Sequence, residues 1–325
     1  MQLCFSSIGF VFFITMMNKQ AEQNRTLTLS KAELLKLRKQ LGRLESQASV
    51  KEALDTIFCQ NIFDAVQFFP KSYIDLLFLD PPYNIQKRFN SHTFYKCSND
   101  EYEEWFESWF VTLLPLLKPN ASLYICGDWR TSGIIQRVCE RYVKVRNRIT
   151  WEREKGRGAV KNWKNASEDI WFCTLSDSYT FNVEAVKLKR RVLAPYRVNG
   201  KPKDWIEEGD AKFRLTHPSN LWTDITVPFW SMPENTSHPT QKPEKLVAKI
   251  ILASTNVGDI VFDPFLGSGT TAVVAKKLHR HFVGVEIDEE YACLALKRLQ
   301  MAERDKTIQG YRDGVFWERN TLSSS

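Results

Sequence analysis

Apolar and polar positions change their period repeatedly along this chain. From Ser30, the run SKAELLKLRKQLGRL sets Leu34, Leu37, Leu41 and Leu44 at helical spacing, and Ser30 with Glu33 makes a capping-box pattern. A helix is therefore predicted over residues 29–50. Its Lys36, Arg38, Lys39 and Arg43 read first as a solvated face and second as contacts to a DNA backbone. Residues 73–79 (YIDLLFL) form a short buried-strand pattern ending at Asp80. Residues 101–117 are amphipathic and helical, residues 123–126 a strand after the turn Lys118-Pro119-Asn120, and residues 134–142 helical again. Residues 149–151 and 170–173 read as further strands. After a long interruption the rhythm returns with a helix at 245–253, a strand at 259–262, a helix at 270–278, a strand at 282–285 and a helix at 289–302. Such alternation predicts an α/β fold, a mostly parallel sheet with helices on both faces.

The interruption covers residues 175–237. It holds the basic run Lys187, Lys189, Arg190 and Arg191, then Pro and Gly, with isolated Trp205, Trp222 and Trp230. It reads as an inserted lobe rather than more sheet. At the other end, residues 8–17 (IGFVFFITMM) are apolar, but about ten residues cannot span a bilayer that needs about twenty. No Lys or Arg precedes the run and no small-residue stretch follows it, which speaks against a secretory signal. An upstream or misassigned start, with Met16 or Met17 as initiator, is the expectation. Composition is that of an ordinary globular protein, 43% hydrophobic and 26% charged, which excludes disordered, collagenous and coiled-coil classes. Lys+Arg 45 against Asp+Glu 38 permits a polyanionic partner without demanding one. Seven scattered cysteines without a CxxC pair argue against a zinc site or disulfide framework, and for a reduced cytoplasmic setting.

Three segments carry chemistry. The first is Asp263-Pro-Phe-Leu-Gly-Ser-Gly-Thr-Thr271, between a predicted strand and helix. Gly267 and Gly269 let the backbone turn tightly and approach a ligand, and Glu286, at the end of the next strand, stands where a ribose-binding carboxylate belongs. The loop alone points to a nucleoside-containing cofactor without saying which. Chain order counts against NAD, because too little chain follows to complete the sheet; the remaining strands must come from the N-terminal half, and the sheet is circularly permuted. The second segment is Asp80-Pro81-Pro82-Tyr83-Asn84 at the end of a strand. Two prolines fix the backbone, so the Asp80 carboxylate and Pro81 carbonyl become rigid acceptors suited to an exocyclic amine, with Tyr83 available to stack on a planar base. The third, His238-Pro-Thr-Gln-Lys-Pro243, is by itself only a turn before a helix.

Together, in this order, the segments resemble the β-class DNA amino-methyltransferases, in which a catalytic DPPY motif precedes an FxGxG cofactor loop. The resemblance runs from about Asp55 to Ala302. It implies a Rossmann-like αβα methyltransferase fold, circularly permuted, with an inserted recognition lobe, and catalysis by Asp80, Pro81, Pro82 and Tyr83. It implies S-adenosylmethionine as cofactor, with Phe265, Gly267 and Gly269 in its loop and Asp263, Thr270 and Thr271 flanking the methionine part. Glu286 would hold the ribose hydroxyls, Asn61 and Ile62 would contact the adenine, and Thr240 and Lys242 would close the methionine end. The chain departs at Asn61-Ile62, where the family often carries Asp-Cys. Trp151 and Glu168 would lie beside the target-base pocket, and Lys187, Lys189, Arg190 and Arg191 would meet DNA phosphates. No metal is implied.

On this reading the chain divides into a loose extension (1–28), the N-terminal helix (29–50), a catalytic half (51–174), a DNA target recognition lobe (175–237), a cofactor-binding half (238–305) and a tail (306–325). The activity implied is methyl transfer to an exocyclic amine of a flipped base in duplex DNA. Adenine N6 is preferred, because Asp at the first motif position usually accompanies adenine in that family; cytosine N4 is the alternative. Methylation at cytosine C5 needs a thiolate that in such enzymes follows a proline, and none of the seven cysteines does. An inactive DNA-binding homologue, an NAD-dependent oxidoreductase, and RNA or protein-glutamine methylation are the competing readings. Double-stranded DNA is the expected partner, without a membrane; a homodimer and a cognate restriction endonuclease are compatible with the class.

Overall fold

A computed structural model describes residues 23–90, 92–153, 160–192, 196–209 and 211–318. The apolar run at 8–17 lies outside them. The body is an eight-stranded sheet built from β1 (Thr56–Cys59), β2 (Ile74–Leu79), β3 (Leu117–Gly127), β4 (Lys144–Glu152), β5 (Ser167–Thr174), β6 (Leu221–Trp222), β7 (Ile260–Asp263) and β8 (His281–Glu286). Its spatial order is β1-β8-β7-β2-β3-β5-β4-β6. Every neighbouring pair is parallel except those made by β5, which runs against both β3 and β4. The strand ending at Asp80 lies directly beside the strand ending at Asp263, Leu76 facing Val261 and Leu77 facing Phe262. Segments far apart in the chain are thus neighbours at the sheet's centre, as expected from the sequence.

The longer helices among the described residues are α1 (Lys31–Leu37), α2 (Asn99–Leu113), α3 (Ser132–Tyr142), α4 (Glu244–Ser254), α5 (Thr270–Lys277) and α6 (Glu289–Arg304). β2 shows why both faces need cover. Leu76 and Phe78 enter one apolar cluster with Val247, Ile250 and Val273, whereas Leu77 and Leu79 enter the other with Phe106, Phe110 and Val138. A strand buried on both faces reads as one continuous apolar run, which is how this one stood out. Ser98 and Glu101 close a capping box at the start of α2.

Several elements differ from expectation. α1 keeps its Ser30–Glu33 capping box but stops at Leu37, followed by one 3-10 turn to Gln40. There the backbone leaves the helix to pair with the sheet edge: the Gly42 amide donates to the Ile57 carbonyl at 2.8 Å, and the Cys59 amide donates to Gly42 at 3.0 Å. Leu41 and Leu44, helical by spacing, lie in this extended stretch because edge pairing satisfies the backbone there. α1 and the turn after it rest on α6 through the Glu33–Lys297 and Arg38–Glu289 ion pairs. β3 begins at Leu117 and absorbs the expected turn at Pro119. The interval 175–237 is not free of sheet: β6 extends the main sheet, and Leu188–Arg191, Ile206–Glu208 and Ala211–Thr216 join a second one. Residues 306–318 are not a loose tail. Val315–Trp317 pairs with Leu188–Arg191 in parallel, and Tyr311–Arg312 closes that sheet's edge.

Candidate active site

The C-terminal ends of the parallel strands surround a cavity of about 340 Å³. Such ends are where open α/β sheets hold their ligands. The turn after β2 presents Asp80, Pro81, Pro82 and Tyr83 to it. The segments after β1 and β7 bring Asn61, Ile62, Phe265 and Gly267 to the same space, Glu286 reaches it from the end of β8, and Thr240 lines it from the segment before α4. His238, the first residue of the third segment, also lines it, and residues without a sequence signal complete the wall, among them Phe63, Trp105, Arg153 and Tyr291. Trp105 reached this wall as one more aromatic on an amphipathic helix, which spacing cannot distinguish from core.

The glycine loop divides its work between the cavity and the core. Gly267 sits at φ +55°, and a Cβ there would lie 2.9 Å from Nε2 of His238. Gly269 sits at φ +84°, and a Cβ there would lie 2.4 Å from Cβ of Ala295 on α6, so this glycine is required by helix packing. Asp263, Gly269, Thr270 and Thr271 are not part of the cavity wall. Asp263 is buried, accepting from Thr271 Oγ1 at 2.6 Å and from the Phe265 amide at 3.0 Å, which fixes the loop from behind. Thr270 Oγ1 donates to the Lys242 carbonyl and accepts from Arg298, itself bound to the Ser268 carbonyl.

Burial raises both carboxyls at this end, those of Asp263 and Glu286, to about 7. Glu286 accepts from the Gly267 amide at 2.7 Å and the Asp288 amide at 2.8 Å, so its carboxylate is aimed at the glycine loop while facing the cavity. Asn61 caps the short helix Ile62–Ala65, accepting from the Phe63 amide. His238 is pushed down to about 3 by burial and by the nearby cations Lys242, Lys87 and Arg298; its ring packs edge-on against Tyr291.

The second centre of charge lies behind Asp80. Lys242 Nζ donates to both Asp80 oxygens at 2.7 Å and to Tyr83 Oη at 3.3 Å, and lies 3.4 Å from Glu168. Tyr83 Oη donates to Asp80 Oδ1 at 3.0 Å and to Glu168 at 3.3 Å, while Arg153 pairs with Glu168 from the other side. Burial, then the Asp80 and Glu168 charges, holds the Tyr83 phenol well above its ordinary range. Burial alone would lower Lys242, but the Asp80 and Glu168 carboxylates hold it above its ordinary value. Glu168 therefore stands beside the DPPY turn. Lys242 stands there too, rather than on the cavity wall with Thr240.

Other assignments need correction. Trp151 is 1% exposed and donates to the Ile225 carbonyl at 3.1 Å; it is a core residue outside the cavity wall. The basic run is not one exposed cluster. Lys189, on the strand face opposite core residue Leu188, is covered by Phe213 and Trp317 from the neighbouring strands and paired with Glu208. Lys187 pairs with Glu184 and Arg190 with Glu318, leaving Arg191 as the exposed member of the four. Among the described residues no group of three or more His, Cys, Asp or Glu is placed to hold a metal, and no helix is long and apolar enough to cross a membrane.

Comparison with known proteins supports the same picture. Residues 74–297 match the N6/N4 DNA methylase family. The DNA adenine methyltransferase YhdJ of Escherichia coli is 35% identical over 78% of this chain and 87% of its own. The type II methyltransferase M.HpaI of Haemophilus parainfluenzae is 32% identical over 75% of this chain and 73% of its own. Among solved structures, the M1.HpyAVI complex with S-adenosylmethionine superposes with a TM-score of 0.51 at 25% identity, covering 75% of this chain and 98% of that one. With strand order, cavity and family match in agreement over most of its length, the chain belongs to the N6/N4 DNA methylase family.

Proposed function

We propose that this protein transfers a methyl group from S-adenosylmethionine to the N6 amine of an adenine flipped out of duplex DNA. One observation carries the reading: the rigid Asp80-Pro81-Pro82-Tyr83 turn and the Gly267–Glu286 pair open onto one cavity. The order of these two motifs supports placement in the β class, with a circularly permuted sheet. The wall suits the cofactor. Glu286 offers acceptor oxygens for ribose hydroxyls, Gly267 leaves room beside His238, and Ile62, Phe63 and Phe265 offer apolar surface for a planar base.

When bound, the cofactor supplies an electrophilic sulfonium methyl. The chain's own contribution is positioning and electrostatics. An aromatic amine is a poor nucleophile because its lone pair is delocalised into the ring. Accepting hydrogen bonds from both its N–H groups, at the Asp80 carboxylate and the Pro81 carbonyl, favours a tetrahedral nitrogen whose lone pair can point at the methyl. As the N–C bond forms the S–C bond breaks, S-adenosylhomocysteine leaves, and the nitrogen loses one proton. Tyr83 supplies a ring to stack on the flipped base. The lobe of residues 183–222 and 311–317 would read the DNA, with Arg191 and Arg190 nearest to phosphates. A cytoplasmic setting goes with this reading, and a partner endonuclease of the same specificity would make it the modification half of a restriction–modification pair. Nucleoside mass spectrometry of DNA exposed to the protein and cofactor is the test. N6-methyladenine is expected; N4-methylcytosine alone would overturn the base assignment, and no methylated nucleoside would overturn the activity.

A further inference from the structure

We propose that Lys242 is a positioning residue for catalysis, holding the Asp80 carboxylate fixed and aimed at the cavity, rather than a contact to the cofactor. The inference rests on reading Asp80 as the acceptor of the target amine. Lys242 is 6% exposed at its side chain and Asp80 16%, with the ammonium 2.7 Å from both carboxylate oxygens. Asp80 lines the cavity and Lys242 does not, so the cation backs the carboxylate instead of competing for the ligand space. A carboxylate offers about four lone-pair sites. Lys242 takes one on each oxygen and Tyr83 a second on Oδ1, which leaves a place on Oδ2 for an incoming amine.

The need for the cation follows from Glu168. That second carboxylate is 4% exposed, 3.4 Å from Lys242 and 3.3 Å from Tyr83 Oη. Two buried carboxyls so close cannot both ionise cheaply without a positive charge between them. Arg153 reaches Glu168 alone; the ammonium is shared by both acids. Other charged or titratable groups felt at this pair come from each surrounding element: Lys87 from the hairpin after β2, Cys126 from β3, Asp263 from β7, His238 from the segment before α4 and Tyr102 from α2. The Lys242 backbone is anchored as well, because its carbonyl accepts from Thr270 at the end of the glycine loop. One residue therefore links the loop expected to hold the cofactor to the carboxylate expected to hold the base.

The test compares Lys242→Met and Lys242→Arg with the unaltered protein. For Lys242→Met, kcat at saturating cofactor should fall about 100-fold or more. The acid limb of its kcat–pH profile should move up by about one unit or more, because Asp80 and Glu168 lose their shared cation. Lys242→Arg should keep the limb in place with intermediate kcat, its planar fork fitting the site less well. Calorimetry should find S-adenosylmethionine affinity within about 3-fold of the unaltered protein in both variants. A readout independent of turnover is melting of the ligand-free protein. Carboxyls left buried without a cation have raised folded-state pKa values, so the stability they contribute is present at low pH and lost as pH rises. The melting-temperature gap between Lys242→Met and the unaltered protein should therefore widen from pH 5 to pH 8. Should Lys242→Met not fold, Lys242→Arg decides: reduced kcat with cofactor affinity kept supports the proposal. Weakened cofactor binding with kcat and its limb unchanged, in either variant, overturns it. Absence of methyl transfer by the unaltered protein would instead remove the activity on which it rests.

Discussion

At the cavity, the charged or phenolic side chains of Asp80, Tyr83, Glu168, Lys242 and Arg153 meet, Glu168 and Lys242 buried and each of the five bonded to at least one other. In the lobe, Arg197–Glu207 and Arg214–Asp204 sit on the surface, where solvent and salt screen them. Both regions are rich in ion pairs, yet the pairs do different things. In the cleft, removing one partner strands another in a low-dielectric site, so the arrangement is over-determined and sensitive. In the lobe, strands of two to six residues are held mainly by backbone pairing and by the Lys189–Phe213–Trp317 cluster. Such a surface tolerates replacement of its exposed charges one at a time, which suits the DNA-reading role proposed for it.

The sharpest way to break this contrast is Asp80→Ala. It should lower kcat by about 1,000-fold or more while leaving cofactor affinity nearly unchanged; single-turnover kinetics with calorimetry will show whether the loss lies in the chemical step. Gly269→Val should destabilise the fold by about 3 kcal/mol, since it combines a clash at Ala295 with an unfavourable positive φ. Thermal denaturation measures that, and an unchanged melting temperature would show that α6 yields easily.

Glu286 offers a milder test. Its carboxyl lies near 7 because of burial, and the ionised form is the stronger, acceptor-only partner for two ribose hydroxyls. Cofactor affinity should therefore weaken as pH falls below about 7, approaching tenfold per unit, and Glu286→Gln should abolish that dependence. Titration calorimetry between pH 5.5 and 8.5 decides the matter. In the ligand-free protein the same raised pKa works in reverse: the stability Glu286 contributes is present at low pH and is lost as pH rises through about 7.

The smallest effects belong to the lobe. Neutralising Arg190 and Arg191 together should weaken binding to all DNA sequences alike and reduce the salt slope by about 1 to 2. Asp204→Ala should change stability by less than about 0.5 kcal/mol. A larger change in urea denaturation would mean that the lobe's surface pairs are not as replaceable as their exposure implies.

Contiguous chemistry was legible in the sequence, and long-range pairing was not. The DPPY turn and the glycine loop each fit within a few residues, so their residue types and flanking strands announced them. The union of Lys242 with Asp80 joins positions far apart in the chain, and no local spacing encodes it. β1 escaped notice because Thr56–Cys59 is four residues long, with only Ile57 and Phe58 fully inside. Leu41 and Leu44 kept a helical period that the sheet edge overrode. Trp151 and Lys189 show the limit of residue-type reasoning: a tryptophan near a motif went to the core, and a lysine in a basic run is covered by Phe213 and Trp317 from strands distant in the chain.

The strand Val315–Trp317 has a consequence for modularity. It lies against Leu188–Arg191, and the Trp317 carbonyl accepts from Lys245 at 2.6 Å, so the lobe is stitched from two distant stretches of chain and pinned to α4. An exchange of this lobe between relatives, whether by recombination or at the bench, cannot succeed as a single cassette spanning 175–237. The transplanted sheet would arrive without its closing strands, and its new Leu188–Arg191 equivalent would have to accept a foreign Val315–Trp317. Functional chimaeras should therefore be those that carry both stretches from one parent.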